Sequence, residues 1–291
     1  MTNIGFIWKS FKFGLIILGL LIWASLKTAS AQIIRYNGSF QYATGSYYFT
    51  ERTGSFYFNN GISISGDKGS ISLSVPFITQ NTPWVSNVGT GILPTGGPKN
   101  SMVGNNSIGG MRRGNRKIDL GTSDTLSYTQ TNFGDPSLSA SLEVLSTKNR
   151  KTTISANGGI KIPIANPQKG FGTGEWDWGG GISWSQHISS QTILLTSGMF
   201  WKLGDMDDLD FNNIITYSAA LGQSFSNGKW MGIISFSGTT QIIDNIDPPL
   251  TLGSGVNMQA SDKVSLNSNL SIGLTESASD VSIGIGWSLK L

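Results

Sequence analysis

The chain has 291 residues, of which 38% are hydrophobic and only 13% charged, with 38 glycines, no cysteine and a single histidine, His187. A charge content about half the ~25% of an ordinary soluble domain argues against a soluble α/β enzyme, while nine Trp and 14 Phe argue against disorder. Without cysteine there are no disulfides, thiolate metal sites, iron–sulfur clusters or thiol nucleophiles, and one histidine cannot build a multi-histidine metal centre.

In chain order, residues 1–31 read as an export signal. Lys9 and Lys12 precede the 14-residue apolar run Phe13–Leu26, and Ala29-Ser30-Ala31 supplies a small-residue cleavage site. The run is shorter than the about 20 apolar residues a membrane helix needs. Removing Lys9, Lys12 and Lys27 leaves 17 basic against 17 acidic residues, a balance that gives nucleic acid no electrostatic footing.

Beyond residue 32 the period is two. Strands are expected at about 34–48, 54–65, 70–80, 137–146, 152–164, 176–188, 191–203, 212–225, 230–243, 250–260, 264–274 and 280–291. Val264–Leu274 shows the pattern most clearly, with Leu266, Leu270 and Ile272 on one parity and Ser265, Asn267 and Asn269 on the other. A soluble sheet meets water with Lys, Glu and Thr; a polar face of Ser, Gly and Asn suits a barrel interior whose other face meets lipid. Short turns (Asp67-Lys68, Thr147–Lys151, Ser189-Ser190, Asn227-Gly228, Ser261–Lys263) alternate with longer connections at about 81–136, 165–175, 204–211 and 244–249. This alternation predicts an all-β, transmembrane, antiparallel up-and-down β-barrel of about 12 strands over residues 32–291, with both termini on the periplasmic side. A two-residue turn at Asn227-Gly228 pairs Phe225 with Trp230. A similar turn at Ser189-Ser190 pairs Trp178 with Trp201, both toward lipid, and sets Asp177 opposite Lys202 toward the lumen. Trp176, Trp178 and Trp201 then form an outer aromatic girdle, and Phe225, Trp230 and Trp287 a periplasmic one.

Several short motifs carry a family likeness. Lys161-Ile162-Pro163, Gly170-Phe171-Gly172-Thr173-Gly174 and Asp177, with Gly134-Asp135 before a strand and Ser74-Val75-Pro76-Phe77 ending one, resemble the pattern of the outer-membrane transporters associated with the meta-cleavage pathway of phenol degradation. The resemblance implies a barrel of the 12-strand class in the outer membrane, and it brings aromatic or hydrophobic solutes into view. The chain departs from common barrel usage by ending on Leu291 rather than Phe or Trp, the residue the insertion machinery reads.

Candidate site residues follow from parity and clustering. Glu143, Lys161, Asp177, His187 and Lys202 have the inward parity and are expected to line the lumen, unless they pair simply to satisfy one another. Arg112, Arg113, Arg116 and Lys117 sit in the longest connection; there they either narrow the pore for anions, bind lipid phosphate, or form a solvated run. Asp205, Asp207, Asp208 and Asp210 offer a weak calcium or lipopolysaccharide-bridging cluster, against a plain solvated loop. The Gly170–Gly174 run leads into a strand, not a helix, so it is an outer-loop turn and not a phosphate cradle. No residue is nominated as catalytic and no cofactor is expected. The sequence thus predicts a non-enzymatic outer-membrane barrel giving passive passage to small molecules, in contact with lipid, lipopolysaccharide, solutes and the barrel-insertion machinery. The alternatives are a non-transporting structural or adhesion barrel, and a membrane-embedded hydrolase that would need His187 beside a serine.

Overall fold

A computed structural model describes residues 32–49, 52–82, 85–88, 91–95, 129–206 and 209–291. The export signal at 1–31, the basic cluster Arg112–Lys117, and Asp207 and Asp208 lie outside the described residues. The strands are β1 (Ile33–Gly45), β2 (Thr53–Ser65), β3 (Gly69–Gln80), β4 (Ser86–Val88), β5 (Gly91–Leu93), β6 (Gln130–Phe133), β7 (Ser137–Ser146), β8 (Thr152–Lys161), β9 (Asp177–His187), β10 (Thr192–Lys202), β11 (Ile214–Phe225), β12 (Trp230–Thr239), β13 (Leu250–Ser261), β14 (Val264–Gly273) and β15 (Val281–Lys290).

Twelve of these close an antiparallel barrel. Each of β8 to β14 pairs with both of its sequence neighbours, β15 returns to β1, and β1, β2 and β3 complete the ring to β7. Closure leaves no sheet edge, which is what lets a strand structure sit in hydrocarbon with its backbone groups satisfied. β6 continues the line of β7: it pairs with the outer end of β3 (Phe77↔Phe133), while β7 pairs with the inner part (Ser74↔Ser137). The break between them is Gly134-Asp135-Pro136, and the Gly134 N–H still donates to the Pro76 carbonyl at 2.8 Å. β4 and β5 form a small separate hairpin.

The outward parity carries the oily residues. Phe56 is 61% exposed, Ile182 64%, Ile234 64% and Ile285 56%. A continuous belt of this kind is far beyond what a soluble monomer leaves in water, and it is the surface a bilayer covers. Aromatic groups tie neighbouring strands on this face: Phe40 stacks on Phe58 at 4.6 Å and sits 5.7 Å from Trp287, and Phe77 meets Phe133 edge-on.

The turn after β9 corrects one expected register. Ile188 and Ser189 donate to the Thr192 carbonyl, so the loop is one residue longer than a two-residue hairpin. Lys202 therefore pairs with Trp178 and Trp201 with Gly179. Trp201 turns into the barrel, and Lys202 turns outward beside Trp178 and Phe200. Lys202 is not a lumen residue. Phe225 does pair with Trp230, through the turn 226–229.

Candidate functional site

The inner wall is mostly hydroxyl, amide and glycine. Ser72 and Ser139 share a hydrogen bond at 2.7 Å, Gln41 donates to Ser282 at 2.7 Å, Asn157 donates to Ser183 at 3.1 Å, and Ser237 meets Thr251 at 2.8 Å. Cross-strand pairs of this kind satisfy one another on a hydrated face without charge.

Above this polar wall, the outer end of the lumen is filled with apolar side chains. Tyr47 and Phe49 from the β1–β2 loop, Val85 and Leu93 beside the β4–β5 hairpin, Leu203, Met206, Leu209 and Phe211 from the β10–β11 loop, and Ile242, Ile243 and Ile246 from the β12–β13 loop form one buried cluster. Ile214 and Trp201, which the strand register points inward, pack with them. Because two of its members stand on the inner wall, this cluster is a cap over the lumen. The Trp201 ring lies flat across two glycines: a Cβ at Gly159 would sit 2.7 Å from it, and one at Gly179 2.6 Å. A second cluster joins Phe171 and Ala165 of the β8–β9 loop to Ala43, Tyr57 and Ile78 on the inner faces of β1, β2 and β3. The β8–β9 loop therefore also turns into the barrel.

A buried ion cluster fixes that inward turn. Lys161, at the outer end of β8, lies 2.9 Å from Asp177 Oδ2 and 3.3 Å from Asp135 Oδ2, and its ammonium donates to the Thr173 hydroxyl. Asp135 Oδ1 accepts the N–H groups of Ile164 and Ala165 at 2.9 and 2.8 Å, and Asp177 Oδ1 accepts that of Gly204 at 3.0 Å. Lys161 is 2% exposed, Asp177 0% and Asp135 7%. Ions taken out of water to this degree persist only when they are paired and hydrogen-bonded, as they are here by the shared ammonium and the three backbone N–H groups. Gly172 packs against the Asp135 carboxylate, where a Cβ would clash, and Gly174 has φ +78, a conformation that favours glycine. The Lys-x-Pro, Gly-x-Gly-Thr-Gly and Asp motifs thus form one latch that holds the β8–β9 loop in the barrel.

The other sequence candidates separate. Lys161 and Asp177 have inward register but are enclosed in the latch, so neither presents its charge to an open channel. Glu143 faces inward at the periplasmic end, where it accepts from Ser146 at 2.6 Å and lies 3.7 Å from Arg150. His187 pairs with Ile193 at the same end, and among the described residues no serine hydroxyl bonds its imidazole. Asp205 accepts the Phe211 N–H at 2.8 Å, an internal loop contact, and among the described residues no group of three or more acidic or histidine side chains could hold a metal. Parity did not reveal Asp135 or Thr173 as functional partners; the signal available for them was the spacing of the motifs.

A family profile described as "Putative MetA-pathway of phenol degradation" matches residues 86–291. In structure the chain is similar to the COG4313 outer membrane channel from Pseudomonas putida F1, with a TM-score of 0.65 and 9% identity over 90% of this chain and 96% of that one. It is also similar to a KdgM porin, with a TM-score of 0.51 and 6% identity over 90% of this chain and 99% of that one. At these identities the likeness is one of fold. No curated protein matches the chain by sequence. The profile spans more than two thirds of the residues, including the β8–β9 latch and its Asp135 partner, and the chain belongs to the family it describes.

Proposed function

We propose that this barrel gives small apolar or aromatic molecules a passive route across the outer membrane. The observation that carries the reading is the cap. Among the described residues, the outer entrance is filled by Leu, Ile, Met, Phe and Tyr side chains, not by a ring of charges. A pore built for ions or sugars places charged or polar groups at its narrowest point. An apolar constriction excludes hydrated solutes and admits molecules that lose nothing by shedding water. The family's printed description, which concerns phenol degradation, supports an aromatic solute. Lipid and lipopolysaccharide are the surroundings this reading assigns to the outward belt, and the insertion machinery delivers the barrel there.

The same cap favours a second reading, a sealed barrel with a structural role, because a cluster this well buried could simply stay shut. Uptake separates the two. Cells producing the full chain would be compared with cells carrying an empty vector for the entry of phenylnaphthylamine, an aromatic probe that fluoresces on reaching the inner phospholipid. Faster entry supports passage. Entry at the vector rate, with the barrel folded and heat-modifiable in the membrane, supports the structural reading instead.

A further inference from the structure

One sector of the inner wall breaks the hydroxyl and amide pattern. β10 reads TILLTSGMFWK, with oily residues on both parities. Its register sends Leu194 and Phe200 toward lipid and leaves Ile193, Leu195, Met199 and Trp201 pointing inward. β12 repeats the device, with Trp230 and Ile234 outward and Met231 and Ile233 inward. Between them the inner face of β11 offers small residues. Ile193 pairs with Gly222, and Gly222 pairs with Ile233, so a glycine lies between two isoleucines in one row across the wall. Leu195 pairs with Ala220 in the next row. A Cβ at Gly222 would sit 2.9 Å from Ile193 and 3.5 Å from the Met231 sulfur, so both side chains lean over that floor.

Other strands of the wall are different. β14 and β15 present Asn267, Asn269, Ser282 and Ser288 inward, with glycines between them. The backbone is the same in both stretches, so closure of the barrel does not require the oily sector. In a hydrated lumen such side chains lose free energy by facing water, and their natural complement is an apolar surface. Ser197 and Ser218 interrupt the sector halfway, but their hydroxyls bond each other at 2.8 Å and so offer little polarity to the lumen. Above them Met199 also points inward, and beyond it Trp201 packs against the cap.

We infer that β10, β11 and β12 form an apolar binding sector on the inner wall, continuous with the cap, whose occupant is a small, flat, apolar or aromatic molecule. Ile193, Leu195, Met231 and Ile233 are its specificity-determining side chains, and Ala220 and Gly222 are its floor. Size selects this occupant: the sector lies inside a 12-strand barrel and, among the described residues, runs at its outer end into the apolar cap. The inference rests on the passage reading above, since it names where the passing molecule is held.

The test extends the phenylnaphthylamine assay to variants of the full chain, each first shown to be folded by heat-modifiable mobility. Leu195→Ser and Ile233→Ser each lower the uptake rate about tenfold, the scale on which a hydrophobic site responds to lost apolar contact. Asn267→Ser on β14, outside the sector, keeps the wild-type rate. Should a serine variant fail to fold, Ala220→Leu asks the same question without adding polarity, because it fills the floor and slows uptake. Serine and leucine variants that fold and take up the probe at the wild-type rate overturn the sector while leaving passage intact. Wild-type cells no faster than vector cells overturn passage, and the sector with it.

Discussion

Lys161 stands at the outer end of β8 with its ammonium 2.9 Å from the Asp177 carboxylate at the start of β9, both almost wholly buried. β8 and β9 pair at this very row, Lys161↔Asp177, so the ion pair spans the last rung of the ladder before the chain leaves for the β8–β9 loop. Asp135, from the break between β6 and β7, closes the same cluster from the other side. Lys161→Met leaves two carboxylates buried without their cation, a change that costs about 3–5 kcal/mol. The expected outcome is a lower urea midpoint for the refolded barrel and new protease cleavage within 162–176. An unchanged cleavage pattern would show that Phe171 and Ala165 hold the loop without the latch.

The cap makes its own prediction. Leu209 and Ile243 come from different loops and are both buried in it. The double variant Leu209→Ser and Ile243→Ser removes two apolar side chains and leaves polar groups in their place; each large-to-small change in a packed cluster costs about 2–5 kcal/mol. Wild-type protein in a planar bilayer is expected to pass little ionic current, and the double variant to show larger and more frequent openings. Equal currents would mean that ions cross by a path the cap does not control.

The strand order and closure were legible because lipid on one side and water on the other impose a period of two on nearly every strand, as Val264–Gly273 shows. The parity of β10 was not legible. Ile193, Leu194 and Leu195 are consecutive, as are Met199, Phe200 and Trp201, so alternation could not say which set faces lipid; the one extra residue in the turn decided it. The inward folding of the loops left a weaker trace: Phe171, Phe211, Ile242 and Ile243 are large apolar residues in connections that would otherwise be polar. Lys161 and Asp177 share the inward parity, yet nothing local to them announces burial; that depends on Asp135, more than 25 residues away in sequence.

The β10 register is open to a direct measurement because the chain has no cysteine, so any introduced thiol is unique. Lys202→Cys and Phe200→Cys, labelled with a fluorophore in lipid vesicles, are expected to be quenched by spin-labelled lipid, since both face outward. Leu195→Cys is expected to resist that quenching. The reverse pattern would restore the two-residue turn, return Lys202 to the lumen and remove Trp201 from the cap.

Tyr47 ties the cap to pH. Its hydroxyl meets the Ser279 hydroxyl at 2.6 Å, and burial, reinforced by the charge of Asp280 and opposed by the Ser279 contact and Arg52, pushes its pKa up to about 12 from an ordinary 10. A raised pKa means the folded form holds the proton more tightly than the unfolded one. The stabilisation is therefore complete below pH 10 and drains away as pH climbs toward 12, by about 1.4 kcal/mol for each pH unit. Alkali should loosen the outer loops across that window, seen as faster proteolysis around 46–49 and 274–280. Tyr47→Phe cannot ionise. It loses the Ser279 hydrogen bond, worth about 1 kcal/mol, at every pH, but its proteolysis rate should rise far less between pH 10 and 12. A variant that loosens as steeply as the wild type would assign the alkaline transition to another group.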